Sequence, residues 1–324
     1  MSFFDDFEIS KLIGQGSYGK VYIASRIGSD EEKFVAKFID IEALVTKRER
    51  KLDDLVKKDL LTFERAERSK AKLRNRIMNE LIREYEMLTL LKTYNIPHTV
   101  RYITNYEDVN LGGRVYHVIV MSRVVGFTLS TLVDCYATRR KTIRHIKIPK
   151  TFLRKIALDL LTSMAAMHLK NIVHRDVKTG NIMYDTNEHN ATYIDFGYAC
   201  LTRIDDILHK VRYDEEEFER LVCTTRNIGT VFAPELSAGK YKTDLDVLKA
   251  ADVWALGYAL YELENLTYPF KDDKAIKAND HIRSHGPDPL MNTLIDKMLI
   301  YDFKRRPSAE RLADEFSYVL SREL

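Results

Sequence analysis

Apolar positions alternate through residues 7–24 around a glycine-rich turn, with Phe7, Ile9, Leu12 and Ile13 before it and Val21, Ile23 and Ala24 after it. That spacing predicts two β-strands, and Phe34–Ile39 adds a third. From Ser29 to Ile96 there is no Gly and no Pro. The stretch from about 41 to 91 is instead dense in Leu, Glu, Lys and Arg, which favour helix. Apolar residues fall on a helical face at Val45, Leu52, Val56, Leu60 and Phe63, and again at Leu73, Ile77, Leu81 and Leu88. A charged gap separates the two sets, so the pattern predicts two helical pieces with a break near 66–72.

Strands are expected again at Val100–Tyr106 and Val115–Met121, joined through Gly112-Gly113, a pair suited to positive φ. After Gly126 the character changes. Thr151–Leu169 reads as a largely apolar helix, 250–264 as another, and 288–301 and 308–321 as amphipathic helices. A β-rich part is thus followed by an α-rich part, with the boundary near 122–126. No internal repeat or low-complexity linker interrupts either.

The length of 324 residues accommodates about two folding units, or one large bilobal domain. A formal net charge of +3 falls short of the basic footprint of a nucleic-acid-binding domain, so nucleic acid is not the expected partner. No window approaches the roughly 18 uninterrupted apolar residues of a membrane span, and the N-terminus lacks the pattern of a secretory leader. Cys135, Cys200 and Cys223 form no CxxC pair and leave an odd thiol, which argues against a disulfide framework and for a reducing, cytoplasmic setting.

Four chemical features stand out. Gly14-Gln15-Gly16-Ser17-Tyr18-Gly19 fits GxGxxG, but Lys20–Ala24 continues as a strand where a dinucleotide-binding fold would open a helix. The glycines therefore read as a hairpin flap able to approach phosphates, or as a plain turn. Lys37 stands within the apolar strand Val35-Ala36-Lys37-Phe38, where an ammonium needs a carboxylate or phosphate nearby unless its tip reaches water. His174-Arg175-Asp176-Val177-Lys178-Thr179-Gly180-Asn181 follows the long apolar helix, and Asp195-Phe196-Gly197 comes after it. One amide and one carboxylate for magnesium, with a second carboxylate to orient a hydroxyl, are what phosphoryl transfer requires.

These motifs, in this order, resemble the eukaryotic-type protein kinases over residues 7–320. Ala233-Pro234-Glu235 resembles the end of an activation segment, Asp252–Gly257 the helix anchoring the catalytic loop, and Arg306 the arginine that pairs with the segment's glutamate. The resemblance implies an α+β, bilobal fold: an antiparallel sheet with one main helix over 1–121, a hinge at 122–125 and a helical lobe over 126–324. It implies ATP and Mg²⁺ as cofactors and Ser/Thr side chains of proteins as substrates. Asp176 would orient the substrate hydroxyl and Lys178 would offset charge on the transferring group, while Asn181 and Asp195 would hold Mg²⁺. Gly14, Gly16 and Gly19, with Gln15, Ser17, Tyr18 and Lys20, would cover the phosphates, and Lys37 would hold them. Ile13, Val21 and Ala36 would pack on adenine, Met121 would guard the back of its pocket, and Ser122, Arg123 and Val124 would form the hinge.

Departures from the family pattern mark where this chain is its own. The family spacing favours Glu84 as the carboxylate for Lys37, although it lies unusually far along the chain; Glu80 shares its helix face. The excess length comes from a helical insertion over about 41–75, read as a solvated extension or as a docking helix for a partner. Residues 41–80 carry twelve basic and eight acidic side chains. Gly229–Glu235 is two residues shorter than usual, which implies a reshaped substrate loop. Arg175 before the catalytic aspartate suggests an activation segment ordered by phosphate, with Thr224, Thr225 and Tyr213 as candidates; Asp214–Glu217 offer an alternative without modification. Gly180 and Thr128 stand where basic-directed kinases carry Glu, and 139–150 holds six Lys/Arg and no acid, so an acidic substrate is one expectation. A pseudokinase scaffold and a small-molecule phosphotransferase are the competing readings.

Overall fold

The computed structural model describes residues 2–16, 19–143, 146–202, 221–223, 233–237, 245–280 and 282–323. The chain has a bilobal α+β organisation in two units, Met1–Lys92 with Val100–Arg123 and Thr93–Thr99 with Val124–Leu324.

The first unit begins with a short helix α1 (Phe3–Asp6) and then builds β1 (Phe7–Gln15), β2 (Lys20–Arg26), β3 (Phe34–Ile39), β4 (Tyr102–Leu111) and β5 (Arg114–Ser122). These form one antiparallel sheet in the order β1-β2-β3-β5-β4. Residues alternate across a strand, and one face carries Phe7, Ala24, Ala36, Phe38, Tyr116, Val118 and Val120 in a buried cluster with Phe3. The rings meet edge to face, Phe3 on Phe38 at 5.3 Å and Phe38 on Tyr116 at 5.7 Å between centroids. Phe3 is fully buried, which makes α1 part of this core; a ring of that size is worth roughly 1.5–3 kcal/mol on burial. Tyr106 secures the same corner by donating its hydroxyl proton to Asp6 Oδ2 at 2.5 Å. The β4–β5 turn takes positive φ at Gly112 (+61°) and Gly113 (+77°), as their sequence predicts.

The insertion differs from its sequence expectation. It forms α2 (Ile41–Lys57), α3 (Phe63–Ala71) and α4 (Leu73–Thr93), three pieces where two were expected. The break near 66–72 shrinks to Lys72, because Ala66 is buried and extends the apolar face into the charged gap. The wider break falls at 58–62, where Asp59 adopts φ +55° and ends α2, and Thr62 takes the extended backbone that starts α3.

The second unit packs β6 (Gly126–Thr128), α5 (Leu129–Arg140), α6 (Lys150–Leu169) and the short strands β7 (Ile172–Val173), β8 (Ile182–Asp185), β9 (Asn190–Tyr193) and β10 (Cys200–Leu201). Helices α7 (Pro234–Ser237), α8 (Leu245–Asn265), α9 (Asp273–Lys277), α10 (Pro289–Met298) and α11 (Ala309–Leu320) follow. Leu153, Ile156, Leu160, Met164 and Met167 bury one stripe of α6, and Trp254, Leu256 and Leu260 bury much of α8. The i, i+3/i+4 periodicity announced both helices. Strand pairings β6-β8-β9 and β7-β10 carry the loops that matter for chemistry, and they are too short for sequence alternation to reveal. Among the described residues, no helix is long and apolar enough to cross a membrane.

The cysteine expectation is overturned. Cys200 and Cys223 form a disulfide, leaving Cys135 as the free, exposed thiol. The two lie 23 residues apart, a spacing that matches no short motif, and Cys223 N–H donates to Leu201 O at 2.9 Å.

Candidate active site

In the first unit, β3 delivers Lys37. Its Nζ lies 2.5 Å from Glu84 Oε1 on α4, with the two side chains 13% and 8% exposed. An ammonium so far out of water needs a carboxylate, and α4 supplies it. Glu80 is engaged elsewhere: Arg48 Nη2 and Nη1 donate to its Oε2 at 2.6 Å and its Oε1 at 3.2 Å. Glu84 is thus the partner of Lys37.

The glycine turn is closed by Gly16 N–H donating to Gly19 O at 2.9 Å, with Gln15 opposite Lys20 and Gly14 opposite Val21. Of the turn's glycines, Gly19 is the one forced by packing, since a Cβ there would stand 2.2 Å from Phe38 O; at Gly16 a Cβ would meet none of the described atoms within 4 Å. Ser17 and Tyr18 lie outside the described residues.

Of the residues expected around adenine, Ala36 lies away from Lys37. Ala36 is fully buried in the aromatic cluster with Phe38, on the face opposite Lys37. Side chains alternate with period two, so the residue sharing the Lys37 face is Val35, which pairs with Met121, while Lys37 pairs with Val21 and Ile119. Val35 was recoverable by counting two back from the lysine. Ile13 is largely exposed at the edge of β1, and Met121 is buried near the end of β5. Beyond it, Ser122 N–H donates to Arg101 O at 2.8 Å and Arg123 N–H to Lys33 O at 2.9 Å. The Arg123 guanidinium pairs with Glu32 at 2.8 Å. Hydrogen bonds from Ser10 and Arg123 hold the Glu32 carboxyl below its usual range. Val124 opens the second unit.

In the second unit, the loop after β7 is held from beneath by Asp252 of α8. Its Oδ2 and Oδ1 accept the backbone N–H groups of His174 at 2.7 Å and Arg175 at 2.8 Å, and His168 Nε2 lies 3.2 Å from Oδ2. Burial pushes the Asp252 carboxyl up, but the His168 hydrogen bond and the neighbouring His168 and His174 outweigh it and keep the group below the ordinary carboxylate range. This grip sustains a left-handed Arg175 (φ +66°), a conformation costly for a non-glycine residue. The His174 ring sits between Tyr193 at 5.2 Å and Phe196 at 4.9 Å. Burial lowers its pKa against the pull of Asp252, Asp176 and Asp195, so it is neutral at neutral pH.

Above this base the reactive groups converge. Lys178 Nζ lies 2.7 Å from Asp176 Oδ2, and Asn181 Nδ2 donates to the same oxygen at 2.7 Å and to Asp176 O at 2.9 Å. Ile194 N–H donates to Asn181 O at 3.1 Å, which ties the loop to the residue preceding Asp195. Asp195 Oδ1 accepts Gly197 N–H at 3.1 Å. Because Asn181 spends its amide nitrogen on Asp176, its Oδ1 is the oxygen it can offer a cation. An amide oxygen and a carboxylate are hard ligands, so Asn181 and Asp195 fit magnesium.

The supporting positions resolve as well. Glu235 and Arg306 form a fork-to-fork pair, Nη1–Oε1 at 2.7 Å and Nη2–Oε2 at 3.2 Å, with side-chain exposures of 3% and 0%. Arg175 Nη1 lies 3.2 Å from Cys200 Sγ. Thr128 accepts Thr131 N–H at 3.2 Å as the N-cap of α5, and Arg140 donates to Asn265 O at 2.9 Å, so both have structural work. Tyr213, Asp214–Glu217, Thr224, Thr225 and Gly229–Phe232 lie outside the described residues.

Comparison with known proteins agrees with this arrangement. The chain is 24% identical over 312 residues to a carbon catabolite-derepressing protein kinase of Secale cereale, covering 93% of this chain and 49% of that protein. It is 29% identical over 175 residues to serine/threonine-protein kinase 40 of Gallus gallus, covering 51% and 36%, and 24% over 323 residues to myosin-IIIb of Mus musculus, covering 96% and 20%. The chain thus spans about a fifth to about half of these relatives' lengths. The family model described as the protein kinase domain matches residues 57–316, beginning where α2 ends and after the glycine turn and Lys37. With four-fifths of its length matched, the chain belongs to the protein kinase domain family.

Proposed function

We propose that the protein transfers the γ-phosphoryl group of ATP to serine or threonine hydroxyls of protein substrates. The observation that carries this reading is the Asp176–Lys178–Asn181 cluster, with Asp195 tied to it through Ile194. Asp176 accepts the proton of the attacking hydroxyl as its oxygen bonds to the γ-phosphorus, and the bond from that phosphorus to the bridging oxygen of ADP breaks. Lys178 balances the charge that builds on the group in transit, and Lys37, oriented by Glu84, binds the phosphates. Mg²⁺, when bound by Asn181 and Asp195, would supply charge neutralisation between the phosphates. Catalysis then rests on positioning and electrostatics.

Lys178, two residues after Asp176, favours Ser/Thr over Tyr targets. The Glu235–Arg306 pair favours a protein substrate over a small molecule, because it braces the end of the segment on which a polypeptide would lie. The basic run 139–150 and the missing acids at Gly180 and Thr128 favour acidic targets.

Incubation with γ-labelled ATP, Mg²⁺ and a panel of Ser/Thr peptides tests the proposal. Asp176→Asn is expected to lower transfer about 10²–10⁴-fold. Equal activity of the two proteins, or ATP binding without turnover by the wild type, overturns the assignment and leaves a scaffold. Labelling of a sugar with no protein labelling leaves a small-molecule enzyme. Strong preference for arginine before the phosphosite removes the acidic-target reading.

A further inference from the structure

Helix α4 offers two carboxylates to one lysine. Glu80 and Glu84 are one turn apart on the same face, and a slip of α4 by about 5.4 Å along its axis would exchange them. Nothing in the helix itself selects between the two, since both are Glu and both side chains are largely buried, at 17% and 8% exposure.

Arg48 makes the selection. Its guanidinium takes both oxygens of Glu80, a forked geometry that fixes direction as well as distance. Arg48 lies eleven residues after Lys37 on one uninterrupted piece of structure: β3 ends at Ile39, Asp40 caps α2 by accepting Ala43 N–H at 2.8 Å, and α2 begins at Ile41. Arg114 on β5 pins that cap through Asp40 at 3.2 Å, and Ile41 and Leu44 bury the first turn of α2. The same strand–helix segment therefore holds two successive turns of α4, Lys37 on Glu84 and Arg48 on Glu80. Two anchors one turn apart fix both the rotation and the axial position of a helix, which one anchor cannot do. Further pairs tie the rest of the insertion down: Lys70 with Asp53 at 2.6 Å and Arg74 with Glu42.

We propose that Arg48 is a positioning residue for phosphoryl transfer: by occupying Glu80 it holds α4 in the register that presents Glu84 to Lys37. The helical insertion is then a built-in brace for α4. This rests on the reading of Lys37 and Glu84 as the nucleotide-orienting pair. The Arg48 and Glu80 side chains are 27% and 17% exposed, so breaking the pair costs some stability as well, whereas displacing a positioned group by about 1 Å costs up to about 10²-fold in rate. Loss of Arg48 should accordingly lower activity in protein that is still folded.

The test compares wild type with Arg48→Met, Arg48→Lys, Glu80→Gln and the exchange Arg48→Glu/Glu80→Arg, reading kcat, KM for ATP and hydrogen exchange of the α4 amides. Arg48→Met is expected to lower kcat/KM about 10–10²-fold at a temperature where the variant is still folded, and to speed exchange in residues 76–90. Arg48→Lys, which keeps the charge without the fork, should retain part of the activity, and the exchange variant should recover at least half of what either reversal loses. Unchanged kcat and KM in Arg48→Met, or an exchange variant no better than the single reversals when all are folded, overturns the proposal. Hydrogen exchange needs no turnover. A wild type without phosphotransfer sinks the kinase reading, while the α4 amides still report whether Arg48 braces the helix.

Discussion

Replacing Arg306 with methionine removes a guanidinium that is fully buried and makes five hydrogen bonds. Two go to Glu235, and the others to the carbonyls of Ala250 at 2.6 Å, Ile300 at 3.0 Å and Tyr301 at 3.4 Å. The methionine fills comparable volume but leaves the Glu235 carboxylate, 3% exposed, without its counter-charge. Breaking a buried pair from one side costs about 3–5 kcal/mol. In a unit of about 200 residues, where each kcal/mol moves Tm by about 2–4 °C, the expected drop is roughly 6–20 °C. Glu235→Gln, which keeps one acceptor for the guanidinium, should cost about 2 kcal/mol. The double variant Arg306→Met/Glu235→Met removes both charges and should recover about 2 kcal/mol or more relative to the sum of the single methionine variants. The chain's single tryptophan makes the assay local: the Trp254 ring lies 4.8 Å below the Arg306 guanidinium, so its fluorescence in a urea titration reports this site. Strict additivity, within about 0.5 kcal/mol, would refute the claim that these two groups hold each other in place.

Other outcomes follow from the same geometry. Gly19→Ala should destabilise the first unit by about 1–3 kcal/mol in thermal melts, because its Cβ would strike Phe38 O, whereas Gly16→Ala should melt like wild type and weaken only nucleotide binding; equal melting losses would contradict this. Denatured protein without reductant should show one titratable thiol, Cys135, and three after reduction, with Cys200 and Cys223 linked in non-reducing peptide maps; three thiols before reduction would exclude the bond. His174 is held neutral below its ordinary pKa, so the unfolded chain binds the extra proton first and stability falls as pH drops below about 6.5. His174→Tyr should flatten that part of the Tm–pH curve relative to wild type, and identical curves would show that His174 does not titrate on unfolding.

How much of this was legible in advance depends on the range of each interaction. Alternation placed β1 to β3, and three-to-four periodicity placed α6 and α8, because those signals are local and repeat along the chain. The order Gly14–Gly19, Lys37, Asp176–Asn181, Asp195, Glu235 and Arg306 carried the family without coordinates. Strands β6 to β10 escaped because they hold too few residues for a period to emerge, and α5 escaped because it buries Leu129 without an apolar stripe behind it. That Ala36 sits with Phe38 on the face away from Lys37 follows from strand parity alone.

The sequence by itself determined which groups this protein has and in what order, since residue type, spacing and hydrophobic period are properties of the chain. Only the tertiary structure decided which group meets which. The choice of Glu84 over Glu80, the forked grip of Arg48, the bond between Cys200 and Cys223 and the seat of His174 on Asp252 all join residues between 23 and 78 positions apart. Such contacts depend on where helices and strands come to rest, and that is set by the burial of whole apolar faces rather than by any pair of residues read in line.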